Sequence, residues 1–529
     1  MKLISVFLIS TTIFYCVSDR GNTHYDNLKC EGEIPSMFVD GLDDYVKLQD
    51  EIYKDYFDND KDLDKLKEKL ILGSALNHSF YFRSGLILFG DPVTNYLNKM
   101  KDVLLKEHDL KDKISIYTLR SSEVNAFCAL DGNVYFTLGL ISRANSEAEL
   151  AFVLSHEISH YLLKHSLEQL KSEKEIDQMR KDRNKLSLDD MLKFKLKRKR
   201  SHEFEADSLG FAIFNKSPYF NKGAIGVLNF LSTSHVPLGE KPFDPEFFSA
   251  DFFKIPACFF KDEVLEVEAR ESIEDEYLTH PDIKKRKEKI NHFIDNKVKG
   301  VEFVNNKKEF DNIKKLATYE MVHRLLVARK YGDAIYTAFN LLQQYPDDEF
   351  LNLCLAKGLY GASVYKNNQK YHFVASRYTS KQGESQQIHY LLKHLTARQL
   401  NTLTLKYIYS LKKKYPQSHF LGLLENSLVE ELVLKHNLTL DDFYSIKDAE
   451  NQYVLYFDKP SDEANSKIKQ RQEYKNFYLL AFAKEREDKA LQQKFLMAKE
   501  KLEEKEAYKA LSYKEKMKLY KDSEKVKKK

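Results

Sequence analysis

Tryptophan is absent from this 529-residue chain, cysteine occurs five times, and neither sign of charge prevails. The missing tryptophan is set against 32 tyrosines and 35 phenylalanines, a habit of composition that points to no mechanism. The cysteines, Cys16, Cys30, Cys128, Cys258 and Cys354, are widely separated and nowhere form a Cys-x-x-Cys pair. Such spacing permits a disulfide in an oxidising compartment without indicating one. Lysine and arginine number 84 against 80 acidic residues, a net +4. A balance so near neutrality gives no argument for a nucleic-acid partner, and none is expected. Long hydrophobic runs are missing too: beyond the first 17 residues nothing approaches the roughly 20 uninterrupted apolar positions of a membrane-spanning helix. A looser membrane association stays open.

The exception at the start is informative. Met1-Lys2 followed by the mostly apolar run Leu3–Val17 reads as a signal peptide, one basic residue and then a stretch too short for a stable anchor, with cleavage after Ser18. Lipidation of Cys16 is the alternative, disfavoured by the bulk of Tyr15; either route exports the protein. At 529 residues the chain has room for two or three domains, each able to bury a core.

Chemistry is announced at residues 156–160, His-Glu-Ile-Ser-His, with Glu203-Phe204-Glu205-Ala206-Asp207 beginning forty-three positions after the second histidine. Residues four apart share a helix face, so His156 and His160 can turn imidazoles toward one ion, while Glu157 points beside it as a general base. A catalytic zinc site takes three protein ligands and keeps a position open for water. Glu203 is the candidate third ligand and Asp207, one turn on, the candidate acceptor that orients a ligand histidine. Taken alone, the acidic pair also reads as two solvated carboxylates on an ordinary helix. The His-Glu-x-x-His helix is itself well signalled: Ser146-Glu147-Ala148-Glu149 is a capping box, and Leu150-Ala151-Phe152-Val153-Leu154 is an apolar run that would bury it.

At this point the sequence resembles the zinc metallopeptidases of the HtpX, BepA and CAAX-prenyl-endopeptidase type, of the gluzincin class. Five pieces match in order: Asn125-Ala126-Phe127 with Gly132–Leu140, Ser146–Leu150, the His-Glu-x-x-His core, Glu203-x-x-x-Asp207, and Thr279-His280-Pro281 with Arg286. They span roughly residues 75–295. The resemblance implies one Zn2+ per chain on His156, His160 and Glu203, water activation by Glu157, and support from Asp207. It further implies that His280 stabilises the oxyanion or covers the metal in a resting state, with Arg286 holding that loop; without the family, His280 is a surface turn histidine before proline. The strand Asn133, Val134, Tyr135, Phe136, Thr137 resembles the edge against which an extended peptide pairs, a mode that tolerates many sequences. Where the family has a proline and glycine pair, this chain has Cys128–Asn133, whose Asp131-Gly132-Asn133 still favours a tight reversal. Cys128 reads as a small buried hydrophobe.

The rest of the chain is expected to be organised around that core. Residues 19–40 are polar and read as a loose tether; Tyr45–Leu72 has a charged helical pattern, so 19–74 form an N-terminal tether and helical segment. Ser84–Gly90 suggests a short strand before Asp91-Pro92 opens a helix, within a peptidase domain over 75–300. An insert at about 166–200, ending Lys197-Arg198-Lys199-Arg200, reads as a solvated helical hairpin, with an anionic-partner patch or a charged lid as alternatives. Tyr345–Leu351 returns as Tyr415–Leu421 seventy positions later, twice the length of a tetratricopeptide unit, with Ala334 and Thr404 at the small packing position. Residues 310–460 are therefore expected to be tetratricopeptide-like helical repeats, as in BepA-type proteases, and 461–529 a charged helical region with a frayed end. The fold class is mainly α with a small β-sheet, α+β: a zincin-like domain followed by helical repeats. The function expected is an exported protease, periplasmic or outer-membrane-associated in a Gram-negative-type bacterium, acting on misfolded or unassembled envelope proteins, with envelope assembly machinery as a partner through the repeats. A chaperone or assembly scaffold with a latent metal site is the rival.

Overall fold

The computed structural model describes residues 25, 27–35, 46–47, 61–169, 172, 175, 188–249, 255–270, 282–294, 297–377, 381–436 and 488–519. The expected leader with Cys16, the loop Thr279-His280-Pro281, the stretch 437–487 and the lysine-rich end lie outside them, as does most of the expected insert. The fold is α+β, mostly helical around one small sheet.

Helix α1 (Lys61–Arg83) runs past the expected end at Leu72. It stops where Gly85 adopts φ 68°. Gly85 N there donates to Phe82 O and Leu86 N to Tyr81 O, a left-handed turn that closes off the last carbonyls. The chain then enters β1 (Ile87–Leu88), and Asp91 caps α2 (Pro92–Leu104) by accepting from Val93 N and Thr94 N, as the Asp-Pro pair predicts. Strands β2 (Ser115–Leu119), β3 (Ala126–Cys128) and β4 (Asn133–Thr137) complete a sheet of order β1-β2-β4-β3, in which β2 and β4 are parallel and the outer pairs antiparallel. The expected reversal joins β3 to β4, with Gly132 at φ 86° and Asn133 N donating to Asp131 Oδ1 at 3.0 Å.

One expectation is corrected here. Asn133–Thr137 is an interior strand: its main chain pairs with β2 on one side and β3 on the other, so no peptide can add to it. Along that flank, the edge is β3.

A six-residue helix, α3 (Leu138–Arg143), leads into α4 (Glu147–Leu162), which carries His156 and His160. Ser146 Oγ accepts from Glu149 N at 3.2 Å as predicted, but Glu149 reaches one residue further back, taking Asn145 N at 2.6 Å. Every residue of α4 from Glu147 to Ser159 is buried, enclosed by the sheet, α2, α5 (Leu188–Phe214) and α6 (Gly223–Ser232). Glu147, buried at the helix start, accepts from the Tyr219 hydroxyl at 2.6 Å and from the amides of Val304 and Asn305 at 3.0 Å, a favourable place for negative charge. Helix α7 (Ile283–Ile294) closes over α5 and α6.

Beyond it come α8 (Lys307–Val327), α9 (Tyr331–Leu342), α10 (Glu349–Asn367), α11 (Ser385–His394), α12 (Ala397–Lys414), α13 (His419–His436) and α14 (Lys489–Ala510). Tyr345-Pro346 falls in the turn joining α9 to α10 and Tyr415-Pro416 in the turn joining α12 to α13, so the sequence repeat marks two stacked helical hairpins. Ala334 and Thr404 are both fully buried between helices, and the threonine hydroxyl is satisfied by Ser363 Oγ at 3.0 Å. Helix α8 belongs to two cores: Phe310, Ile313 and Ala317 pack with α4 and the sheet, while Tyr319 and Val322 pack with α9 to α13. Within the expected loose tether, Tyr25 and Glu31 are fastened instead: Tyr25 packs on Tyr319 and Phe350, its hydroxyl donates to the buried Glu320 at 3.0 Å, and Glu31 N donates to Phe89 O at 3.0 Å.

Candidate metal centre and active site

Helix periodicity puts His156 and His160 on one face of α4, and α5 brings Glu203 against them. Their close approach requires Gly210, where a β-carbon would stand 3.0 Å from His156 Cα. His156 Nε2 lies 3.0 Å from His160 Nε2 and 3.5 Å from Glu203 Oε2, and His160 Nε2 is 3.6 Å from Glu203 Oε1. Ligands about 2.0–2.1 Å from a tetrahedral ion stand about 3.3 Å apart, so this triangle fits a metal of zinc's size, with nitrogen and carboxylate donors suited to it. The three form a group that could hold a metal ion.

The support is charged and buried. Asp207 Oδ1 lies 2.9 Å from His156 Nδ1, the contact expected of an orienting acceptor. Arg286, 2% exposed, faces two carboxylates: its Nε and Nη2 fork onto Asp207 at 2.7 and 2.8 Å, and its Nη1 lies 3.1 Å from Glu203 Oε2. Burial alone would raise the Asp207 carboxyl, but the Arg286 guanidinium and His156 hold it well below the usual range. Burial would likewise lower His156, and hydrogen bonds to Asp207 and Glu203 outweigh it, pushing its pKa up to about 9. A cation taken up there would displace that proton.

Glu157, 4% exposed, shares a cavity wall with His156, Arg286, Asn125 and the first β3 residue Ala126, with Phe152, Val227 and Leu231 as apolar lining. A carboxylate and the edge strand thus face one cleft beside the candidate metal position. Tyr135 points the other way, stacking on Tyr117 and Phe127 and meeting His78 Nδ1 through its hydroxyl at 2.9 Å. His280 lies outside the described residues. Cys30, Cys128, Cys258 and Cys354 are free thiols, and Cys128 is half-buried with Sγ toward Ala129 O. Sequence reasoning missed His165, which stands against His160; its sequence signal was a histidine five residues after a ligand.

Residues 93–181 match the peptidase family M48, and with the metal-ready group beside them they support a metallopeptidase. That stretch is similar to the metallopeptidase domain of that family, and the proteins similar to this chain include beta-barrel assembly-enhancing proteases. It is 32% identical over 102 residues to a Vibrio cholerae protein provisionally given that name, 31% over 91 residues to the Yersinia pestis protein and 29% over 102 residues to that of Escherichia coli K12. These stretches are 19%, 16% and 18% of this chain, and the chain spans only 21%, 19% and 21% of the respective relatives. The family match holds His156, Glu157 and His160; Glu203, Asp207 and Arg286 lie beyond it. Among the described residues no helix is long and apolar enough to cross a membrane.

Proposed function

We propose that the chain is an exported zinc-dependent endopeptidase that hydrolyses peptide bonds of misfolded or unassembled envelope proteins in a Gram-negative-type bacterium. The observation that carries this reading is the convergence of His156, His160 and Glu203 at tetrahedral-edge separations, with Glu157 on the adjoining cavity wall. A zinc ion held by the three would supply Lewis acidity to the scissile carbonyl and to water beside it. Glu157 accepts the water proton and returns it to the leaving amine. Asp207 and Arg286 keep His156 and Glu203 in register, and His280 keeps the oxyanion role that the family likeness gives it. An extended peptide would pair with the edge strand β3 rather than with Asn133–Thr137, main chain to main chain, so many sequences are accepted. The envelope setting is supported by the name of the relatives, beta-barrel assembly-enhancing protease, and the stacked hairpins offer a surface for assembly machinery.

Casein cleavage by the full chain tests this. Turnover should vanish with a chelator and return with zinc, and Glu157→Gln should abolish it by about 100-fold or more while zinc stays bound. A Glu157→Gln protein with near-normal turnover would refute the mechanism. Client proteins trapped by the same variant from an envelope extract would name the substrates.

A further inference from the structure

The two ligand histidines are backed differently. His156 Nδ1 meets a carboxylate directly, Asp207 Oδ1 at 2.9 Å. His160 Nδ1 meets another imidazole, His165 Nδ1, at 2.9 Å. His165 is 5% exposed, its Nε2 lies 3.4 Å from Glu205 Oε2, and Glu205 Oε1 takes the Ser201 hydroxyl at 2.8 Å. The His165 ring stacks on His202, centroids 4.2 Å apart and planes within 7°. Backbone explains how a residue five positions on returns to the ligand. Lys164 adopts φ 54°, breaking the helical path just after α4 and swinging His165 back over His160.

Two facing imidazole nitrogens share one proton between them. If His160 gives its Nε2 lone pair to a cation, its own proton must sit on Nδ1. His165 must then accept at Nδ1 and carry its proton on Nε2, toward Glu205. We propose that His165 is a positioning residue of the metal centre: it fixes the tautomer and ring plane of His160, Glu205 fixes the tautomer of His165, and His202 holds its ring. This rests on the reading of His156, His160 and Glu203 as zinc ligands. It makes the centre asymmetric, one histidine backed by a buried ion pair and the other by a neutral ring whose own carboxylate is 52% exposed. Partners of this kind typically contribute 10–100-fold, by order of magnitude, in metal affinity.

Zinc affinity of the full chain, measured by competition with a chromophoric chelator, tests the proposal. His165→Phe keeps the stack on His202 but accepts no hydrogen bond, whereas His165→Gln offers an amide oxygen. The first should weaken zinc binding by about 10–100-fold and the second should recover most of that loss, with thermal melting of the zinc-free proteins unchanged. Glu205→Gln, at a half-exposed side chain, should show a smaller loss in a protein that folds normally. Wild-type affinity in His165→Phe, or equal losses in the Phe and Gln variants, would overturn the positioning role while leaving the zinc site standing. If His165→Phe fails to fold and Glu205→Gln binds zinc as tightly as wild type, the proposal is likewise overturned. A wild-type chain that takes up no zinc would bring down the site and this inference together.

Discussion

Arg286 is the residue on which the centre's electrostatics turn. It faces two carboxylates, Asp207 and Glu203, from a position 2% exposed to solvent. Arg286→Ala should therefore destabilise the zinc-free protein by about 3–5 kcal/mol in urea unfolding, because two buried carboxylates lose the guanidinium they share. Arg286→Lys should recover only part, since an ammonium cannot fork onto Asp207 as a guanidinium does. The pairing of His156 with His160 was legible in the sequence because a helix fixes what lies four residues apart, whereas Glu203, 43 positions on, was singled out through the family resemblance. The Arg286–Asp207 fork was not, because it joins residues 79 apart and no local rule brings them together. His165 was hidden differently: five residues is off the helix face until Lys164 breaks the path.

At the level of elements, α4 is held by its first turn as much as by its burial. Ser146→Ala should cost about 1 kcal/mol, read as a lowered melting temperature, by orphaning the Glu149 amide. In the helical half, burial would raise the Asp333 carboxyl, but His389 Nε2 at 2.9 Å and Lys381 Nζ at 2.7 Å hold it well below the usual carboxylate range. A carboxyl depressed in the folded state adds stability that is present above its unfolded pKa of about 3.9 and fades as pH falls through the folded value. Asp333→Asn should accordingly flatten the acid limb of stability below about pH 4 and lower stability at neutral pH, as urea midpoints measured across pH will show. The sheet teaches the limit of local reading. The β3–β4 hairpin was legible from Asp131-Gly132-Asn133, but the parallel pairing of β2 with β4 is non-local, and it is what makes β4 interior and leaves β3 at the edge. The stacked hairpins were legible from a repeated Tyr-Pro turn seventy residues apart.

Across the whole molecule, α8 joins what the sequence suggested were separate domains. Its first half completes the core around α4 and its second half the core of the hairpins, while Phe243 and Phe247, from the expected peptidase span, pack on Phe339 of α9. A chain cut after residue 300 loses Phe310, Ile313 and Ala317 from the core around α4. It should be recovered insoluble or molten, whereas the intact chain should unfold in a single calorimetric transition; a soluble, cooperatively melting fragment would contradict the shared core. The sequence could not reveal this, because charged residues on α8 such as Lys307, Lys308 and Lys315 mark its exposed side and say nothing of which core each buried residue joins.

A spine that is one unbroken rod also sets a phase. An α-helix turns about 100° per residue, so inserting or deleting a single residue within 307–327 would rotate everything downstream around the half that holds α4 like a key in a lock. Grafting a foreign hairpin stack onto this peptidase would succeed only in steps that restore the angle, close to whole turns of the rod.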